Sequence, residues 1–249
     1  MNDANIINPL FKKWALGFSG CDGGDIGSDL SRSIWLCGLE WGGDFEETVE
    51  TLSTDFNQDV SQPPSGYKDW RENIAYIFNW QAMKLLGKIH DYPIEEYKKF
   101  AEEYKPFVNG QKGFFKMNLY PIAFKQTAHN LWDDAHKIST GLSTKQDYIN
   151  WIYKNRFTIM QNLVINYSPK LIICTGVTYF LDFKQAFMID NMEVNKECID
   201  GKNLVWFKNE NGTLVVVIPF MVNRNGLNSN ATISNFGSRI KELLVHCGH

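Results

Sequence analysis

The 249-residue sequence predicts an α/β fold, with a short, mostly parallel central sheet between two layers of helices. Three observations carry that prediction. Short apolar runs stopped by glycine or proline recur along the chain, at 33–38, 113–121, 169–176 and 214–219, as buried strands do. Segments with apolar residues at three- and four-residue spacing lie between them, the signature of amphipathic helices. The last run, Val215-Val216-Val217-Ile218, is wholly β-branched and suits an interior strand. Strands alternating with helices give a parallel sheet covered on both faces.

Residues 1–30 read as an N-terminal extension packing on a single domain that spans 1–249. They hold an aromatic stretch at 11–18 and a glycine-rich loop at 19–28. Such a loop can cradle phosphate through its amides. This one lacks a Gly-Lys-Ser/Thr ending and carries Asp22 and Asp25, so an ordinary loop is the reading. The first strand runs through Ile34-Trp35-Leu36-Cys37 into the turn Gly38-Leu39-Glu40-Trp41-Gly42-Gly43-Asp44. An acidic stretch from Asp44 to Gly66 reads as a long surface connection or lid. Trp70, Ile74, Ile77, Phe78, Gln81 and Leu85 predict a helix over 67–86, and Pro93 and Pro106 bracket a charged one over 94–104. The second strand leads to Asn118 and stops at Pro121. A long helix follows over 145–167, then the third strand to Gly176 and a helix over 177–188. Strands at 194–199, 204–208 and 214–219 are divided by Asp200-Gly201 and Asn211-Gly212, both hairpin signals. Ile233, Phe236, Ile240, Leu243 and Leu244 mark a last helix over 232–246.

Composition bounds the function. Hydrophobic residues make up 44% and charged residues 21%, ordinary for a globular protein, whereas the 14% aromatic share suits a pocket for flat ligands. A net charge of −3 gives no global attraction to nucleic acid, so a DNA surface has to be a local basic patch. No apolar run reaches the length of about eighteen residues that a membrane span needs. No basic and apolar leader opens the chain. The five cysteines form no Cys-x-x-Cys pair and indicate neither a disulfide framework nor zinc. His246-Cys247-Gly248-His249 reads as a frayed tail rather than a metal site. A cytoplasmic protein with reduced thiols is the expectation.

Each presumed central strand ends in polar residues: Glu40, then Asn118 and Tyr120, then Thr175-Gly176, then Asn223 to Ser229. Open α/β sheets bind ligands where strand carboxyl ends converge. In this order and spacing the chain resembles the uracil-DNA glycosylase superfamily, from Ser33 to the C-terminal helix. Gly38-Leu39-Glu40-Trp41-Gly42 is similar to that family's first motif, G-x-D-P-Y or G-E-x-P-G, with Glu40 in the place of the water-positioning Asp. Asn118-Leu119-Tyr120-Pro121 resembles the segment with its base-reading Asn, and residues 169–176 resemble its third strand. The chain departs from the family where H-P-S is usual: Val222-Asn223-Arg224-Asn225-Gly226 stands there, and Asn223 replaces the His.

The resemblance implies a three-layer, uracil-DNA glycosylase-like fold and a monofunctional DNA glycosylase that flips out and hydrolyses off a modified pyrimidine. It implies Glu40 and Asn223 as catalytic, and Gly38, Leu39, Trp41, Phe45, Asn118 and Tyr120 around the base. Lys116, Arg224, Asn225 and Ser229 would contact DNA, single- or double-stranded. No metal, cofactor or membrane is implied. The chemistry is coherent: N-glycosidic cleavage builds positive charge on the sugar and negative charge on the base. A carboxylate can orient water, and an Asn amide can read a base edge. Lys112, Lys125, Arg239 and Lys241 are further candidate phosphate contacts. Two other readings remain open: a non-catalytic DNA or modified-nucleotide binding module on this fold, and an unrelated α/β enzyme acting on a small nucleotide or sugar.

Overall fold

In the computed structural model, which describes residues 6–42, 47–124 and 131–246, seven strands form one sheet. They are β1 (Cys21–Gly24), β2 (Ile34–Gly38), β3 (Phe114–Asn118), β4 (Leu171–Thr175), β5 (Asn195–Ile199), β6 (Lys202–Lys208) and β7 (Leu214–Ile218). Their spatial order is β1-β3-β2-β4-β7-β6-β5. Strands β3, β2, β4 and β7 run parallel. The pairings of β1 with β3, β6 with β7 and β5 with β6 are antiparallel. The sheet is therefore mixed, parallel at its centre and antiparallel at both margins, rather than mostly parallel. Turn chemistry explains one margin. Asp200 and Gly201, between β5 and β6, both have positive φ (51° and 74°), as a two-residue hairpin turn requires.

Alternation along the strands divides the core. Trp35, Cys37, Phe115, Met117, Ile172, Cys174, Val215 and Val217 face one cluster, which draws on α1 (Pro9–Ala15), α2 (Val49–Phe56), α7 (Lys145–Tyr167) and α8 (Phe180–Phe187). Ile34, Leu36, Phe114, Leu171, Ile173, Leu214, Val216 and Ile218 face the other, with α4 (Ile77–Ile89), α5 (Tyr97–Tyr104) and α9 (Asn230–His246). Helices thus cover both faces. No described helix is long and apolar enough to cross a membrane.

Several elements differ from the sequence reading. The glycine-rich loop contains β1, an edge strand pairing Cys21 with Met117. The aromatic stretch is α1, started by Asn8, whose side chain accepts from the Leu10 amide, and by Pro9 at the first helical position. The acidic connection contains α2, opened by a Thr48/Thr51 capping box. Another short helix, α6 (Asp134–Thr140), follows the undescribed residues 125–130. The helix expected over 67–86 is broken into α3 (Trp70–Asn73) and α4. At the break, Asn79 Nδ2 donates to the Asn73 carbonyl, taking an acceptor that a continuous helix would use.

The N-terminal segment is tied to the strand ends by Arg156 of α7, a buried side chain. Its guanidinium donates to the carbonyls of Ala15, Gly17 and Ser19, to Ser19 Oγ, and to the Leu119 carbonyl just past β3.

Candidate functional site

Strands β2 and β3 keep pairing beyond their named ends. The Leu119 amide donates to the Gly38 carbonyl (3.1 Å), Tyr120 to Leu39 (2.8 Å) and Phe124 to Trp41 (3.1 Å). The 38–42 turn is thereby fixed against residues 119–124, and Glu40 is turned towards the first residue of α7. There Lys145 Nζ lies 3.8 Å from Glu40 Oε2, the side chains being 3% and 9% exposed. The ammonium also sits 3.6 Å from the Phe124 ring centroid. Neither Glu40 Oε1 nor Lys145 Nζ has a hydrogen-bond partner among the described residues. Burial pushes the Glu40 carboxyl up to about 7, against the opposing pull of the Lys145 charge. Burial likewise lowers the Lys145 ammonium, with Glu40 opposing. Leaving buried polar groups unmet is costly, and a charge pair offsets only part of the loss. At this place the fold keeps a carboxylate that exchanges its proton near neutrality.

Asn118, at the end of β3, pairs in register with Gly38 and points to the opposite face of the sheet, the one covered by α4. It is buried and donates from Nδ2 to the Gly20 carbonyl (3.1 Å). Its Oδ1 lies 2.2 Å from where a Cβ on residue 38 would stand, so any side chain there would displace the Asn118 amide. Among the described residues nothing donates to that Oδ1, which leaves an acceptor at the strand end. On the same face Phe78 stacks on the partly exposed Phe220 past β7, centroids 5.9 Å apart.

Trp41 follows Glu40 in the turn. Its indole donates to Asp22 Oδ2 (3.2 Å), while Asp22 Oδ1 accepts from the Tyr67 hydroxyl (2.8 Å) and pairs with Lys116 Nζ (3.1 Å). The loop aspartate is thus the anchor of the aromatic ring that follows Glu40 in the chain. Trp41 borders a cavity of about 420 Å³ shared with Trp14, Phe18, Gly20, Asp55 and Pro121. That volume falls within the range of small-molecule sites. Glu40 and Asn118 do not line it.

The remaining candidates fall into three groups. Tyr120 is buried, its ring packed near Tyr148 and Phe157 and its hydroxyl on Asp182 (3.4 Å). Lys116 is buried with Asp22 and does not face solvent. Asn223, Arg224, Asn225 and Ser229 lie exposed between β7 and α9. There the Asn223 carbonyl accepts from the Gly226 amide and from Asn228 Nδ2, and Ser229 Oγ accepts from the Thr232 amide near the start of α9. Asn223 makes no hydrogen bond with Glu40 or Asn118. Phe45 and Lys125 lie outside the described residues. Among the described residues no three His, Cys, Asp or Glu side chains are grouped to hold a metal ion.

Sequence reasoning missed Lys145. The signal was available: a lysine at the first position of a helix capped by Thr144 sits at the positive end of the helix dipole, where a cation is disfavoured. No known protein family and no curated protein matches the chain.

Proposed function

We propose that this chain is a DNA glycosylase that flips a modified pyrimidine out of DNA and hydrolyses its N-glycosidic bond. In this reading the sheet and its two helical layers are a uracil-DNA glycosylase-like domain acting on DNA in the cytoplasm. The observation that carries it is Glu40: a buried carboxylate past the end of a central parallel strand, one oxygen unmet, ionising near pH 7. Such a group can take a proton from an attacking water at neutral pH. Its charge also offsets the positive charge that grows on the sugar as the bond breaks. Support comes from the Oδ1 of Asn118, an acceptor for a base edge, and from Trp41, a ring held by Asp22 in the turn that carries Glu40. Asn223 and Arg224, on the exposed loop, would close on the departing base and the flanking phosphate.

The test is a panel of single- and double-stranded DNAs carrying uracil, 5-substituted pyrimidines, deaminated purines and bulky modified bases, with abasic sites scored by alkaline cleavage. Release of a modified pyrimidine is expected, and Glu40→Gln should slow it by about a hundredfold or more, the scale of a lost general base. Unchanged turnover in a folded Glu40→Gln protein would remove Glu40 from the chemistry. The burial of Glu40 against Lys145 favours one other reading, a binding module in which the pair is closed for good. DNA binding with no base released from any substrate would establish that module instead.

A further inference from the structure

We propose that Lys145 is an amine nucleophile that condenses with the C1′ aldehyde of an abasic deoxyribose and cuts the strand by β-elimination. The inference rests on the glycosylase reading for its setting, since an abasic sugar is the product that reading leaves in the site. The geometry comes from Lys145 itself. Other lysines are tied by hydrogen bonds: Lys84 to Asn230, Lys99 to Glu96, Lys116 to Tyr67, Lys137 to Asp134 and Lys202 to the Asn225 carbonyl. Lys145 is buried, has no hydrogen-bond partner among the described residues, and has a ring on one side and a carboxylate 3.8 Å away on another. An amine is nucleophilic only when neutral. Desolvation, the start of a helix and the lack of a hydrogen-bond acceptor among the described residues favour the neutral form, against the pull of the Glu40 charge. Burial does lower this ammonium.

The step balances without an oxidant or reductant. The Nζ lone pair adds to C1′ of the open-chain sugar to give a carbinolamine. Glu40 in its acid form protonates the hydroxyl, which leaves as water, and a protonated imine remains. Glu40, now a carboxylate, takes the proton from C2′. The C2′ electron pair forms a C2′–C3′ double bond, and the C3′–O bond breaks with its electrons on the phosphate. Water then hydrolyses the imine, which frees Lys145 and an unsaturated aldehyde. One carboxylate ionising near neutrality serves both proton transfers. Phe124, against the amine, keeps bulk water off the imine while elimination proceeds.

The experiment uses the full chain and oligonucleotides with a preformed abasic site, single- and double-stranded, with sodium borohydride added to reduce any imine to a stable amine. A covalent protein–DNA adduct is expected on a denaturing gel, with mass spectrometry placing it on Lys145. Without borohydride the strand is nicked, leaving a 5′ phosphate. Lys145→Arg keeps the charge but cannot form the imine, so adduct and nicking should both fall to the level of DNA alone. If that variant does not fold, the adduct site in the unmodified protein decides by itself. No adduct, or an adduct confined to another amine, overturns the proposal. Base release without an adduct leaves the glycosylase reading standing and removes this one. An adduct on Lys145 with no base released from any modified DNA does the reverse.

Discussion

At the scale of the residue, the state of the Glu40–Lys145 pair is set by two opposing quantities. Burial disfavours both charges, and the 3.8 Å separation favours them together. The outcome for Glu40, about 7 against an ordinary value of 4.5, says that burial wins. The consequence for rate has a definite sign. If ionised Glu40 activates water, base release is slow below its pKa and rises as pH passes through about 7. Lys145 is what holds the Glu40 value down, so Lys145→Met should move that rise to higher pH. The rate well above the rise tests what else Lys145 does. A pH–rate profile of base release by the two proteins checks this. A rise near pH 4.5 in the parent, or a shift to lower pH in the variant, would separate the pair from the reaction.

At the scale of the element, what could be read in the sequence depended on whether an element announces itself locally. β2, β3, β4 and β7 are fully buried five-residue strands, so short, largely apolar runs bounded by glycine or proline marked them, β3 despite Lys116 and Asn118. The 145–167 helix was legible to its ends because a capping threonine opens it and a proline follows it. β1 was not legible, since Cys-Asp-Gly-Gly has no β-branched or aromatic residue, and only pairing with β3 makes it a strand. Helices α1, α2 and α6 span seven or eight residues, too few for periodicity to outweigh their polar surroundings. At the site, the position of Glu40 was legible but its partner was not, because 105 residues separate it from Lys145. Arg156 belongs to the same class: an arginine in a helix, silent in sequence, whose donors bind residues 15–19 to the end of β3. Arg156→Met should therefore cost more than about 3 kcal/mol, since several buried acceptors lose a charged donor together. Urea unfolding measures it. A cost under about 1 kcal/mol would mean that the N-terminal segment is held by Phe11 and Trp14 instead.

At the scale of the whole molecule, the question is how a chain of net charge −3 would hold DNA. The sequence offered Lys112, Lys116, Lys125, Arg224, Arg239 and Lys241. Folding commits most of them to acids. Lys112 lies 3.7 Å from Asp25, Lys116 is buried with Asp22, Arg239 pairs with Glu197 and Glu242, and Lys241 pairs with Asp91. Lys125 lies outside the described residues. Arg224 is exposed and has no ion pair among the described residues, on the loop that also carries Asn225 and the Ser229 that caps α9. Phosphate contact should therefore centre on this loop, with few ions released. Each neutralised phosphate adds roughly −0.9 to the slope of log K against log salt on duplex DNA. A slope of about −1 to −3 is expected, and Arg224→Ala should weaken binding of all sequences alike and make the slope shallower by about one. Fluorescence anisotropy titrations across a salt series read both quantities. No binding at low salt removes DNA as the partner. A slope steeper than about −5 would require a basic surface that the paired lysines and arginines do not supply.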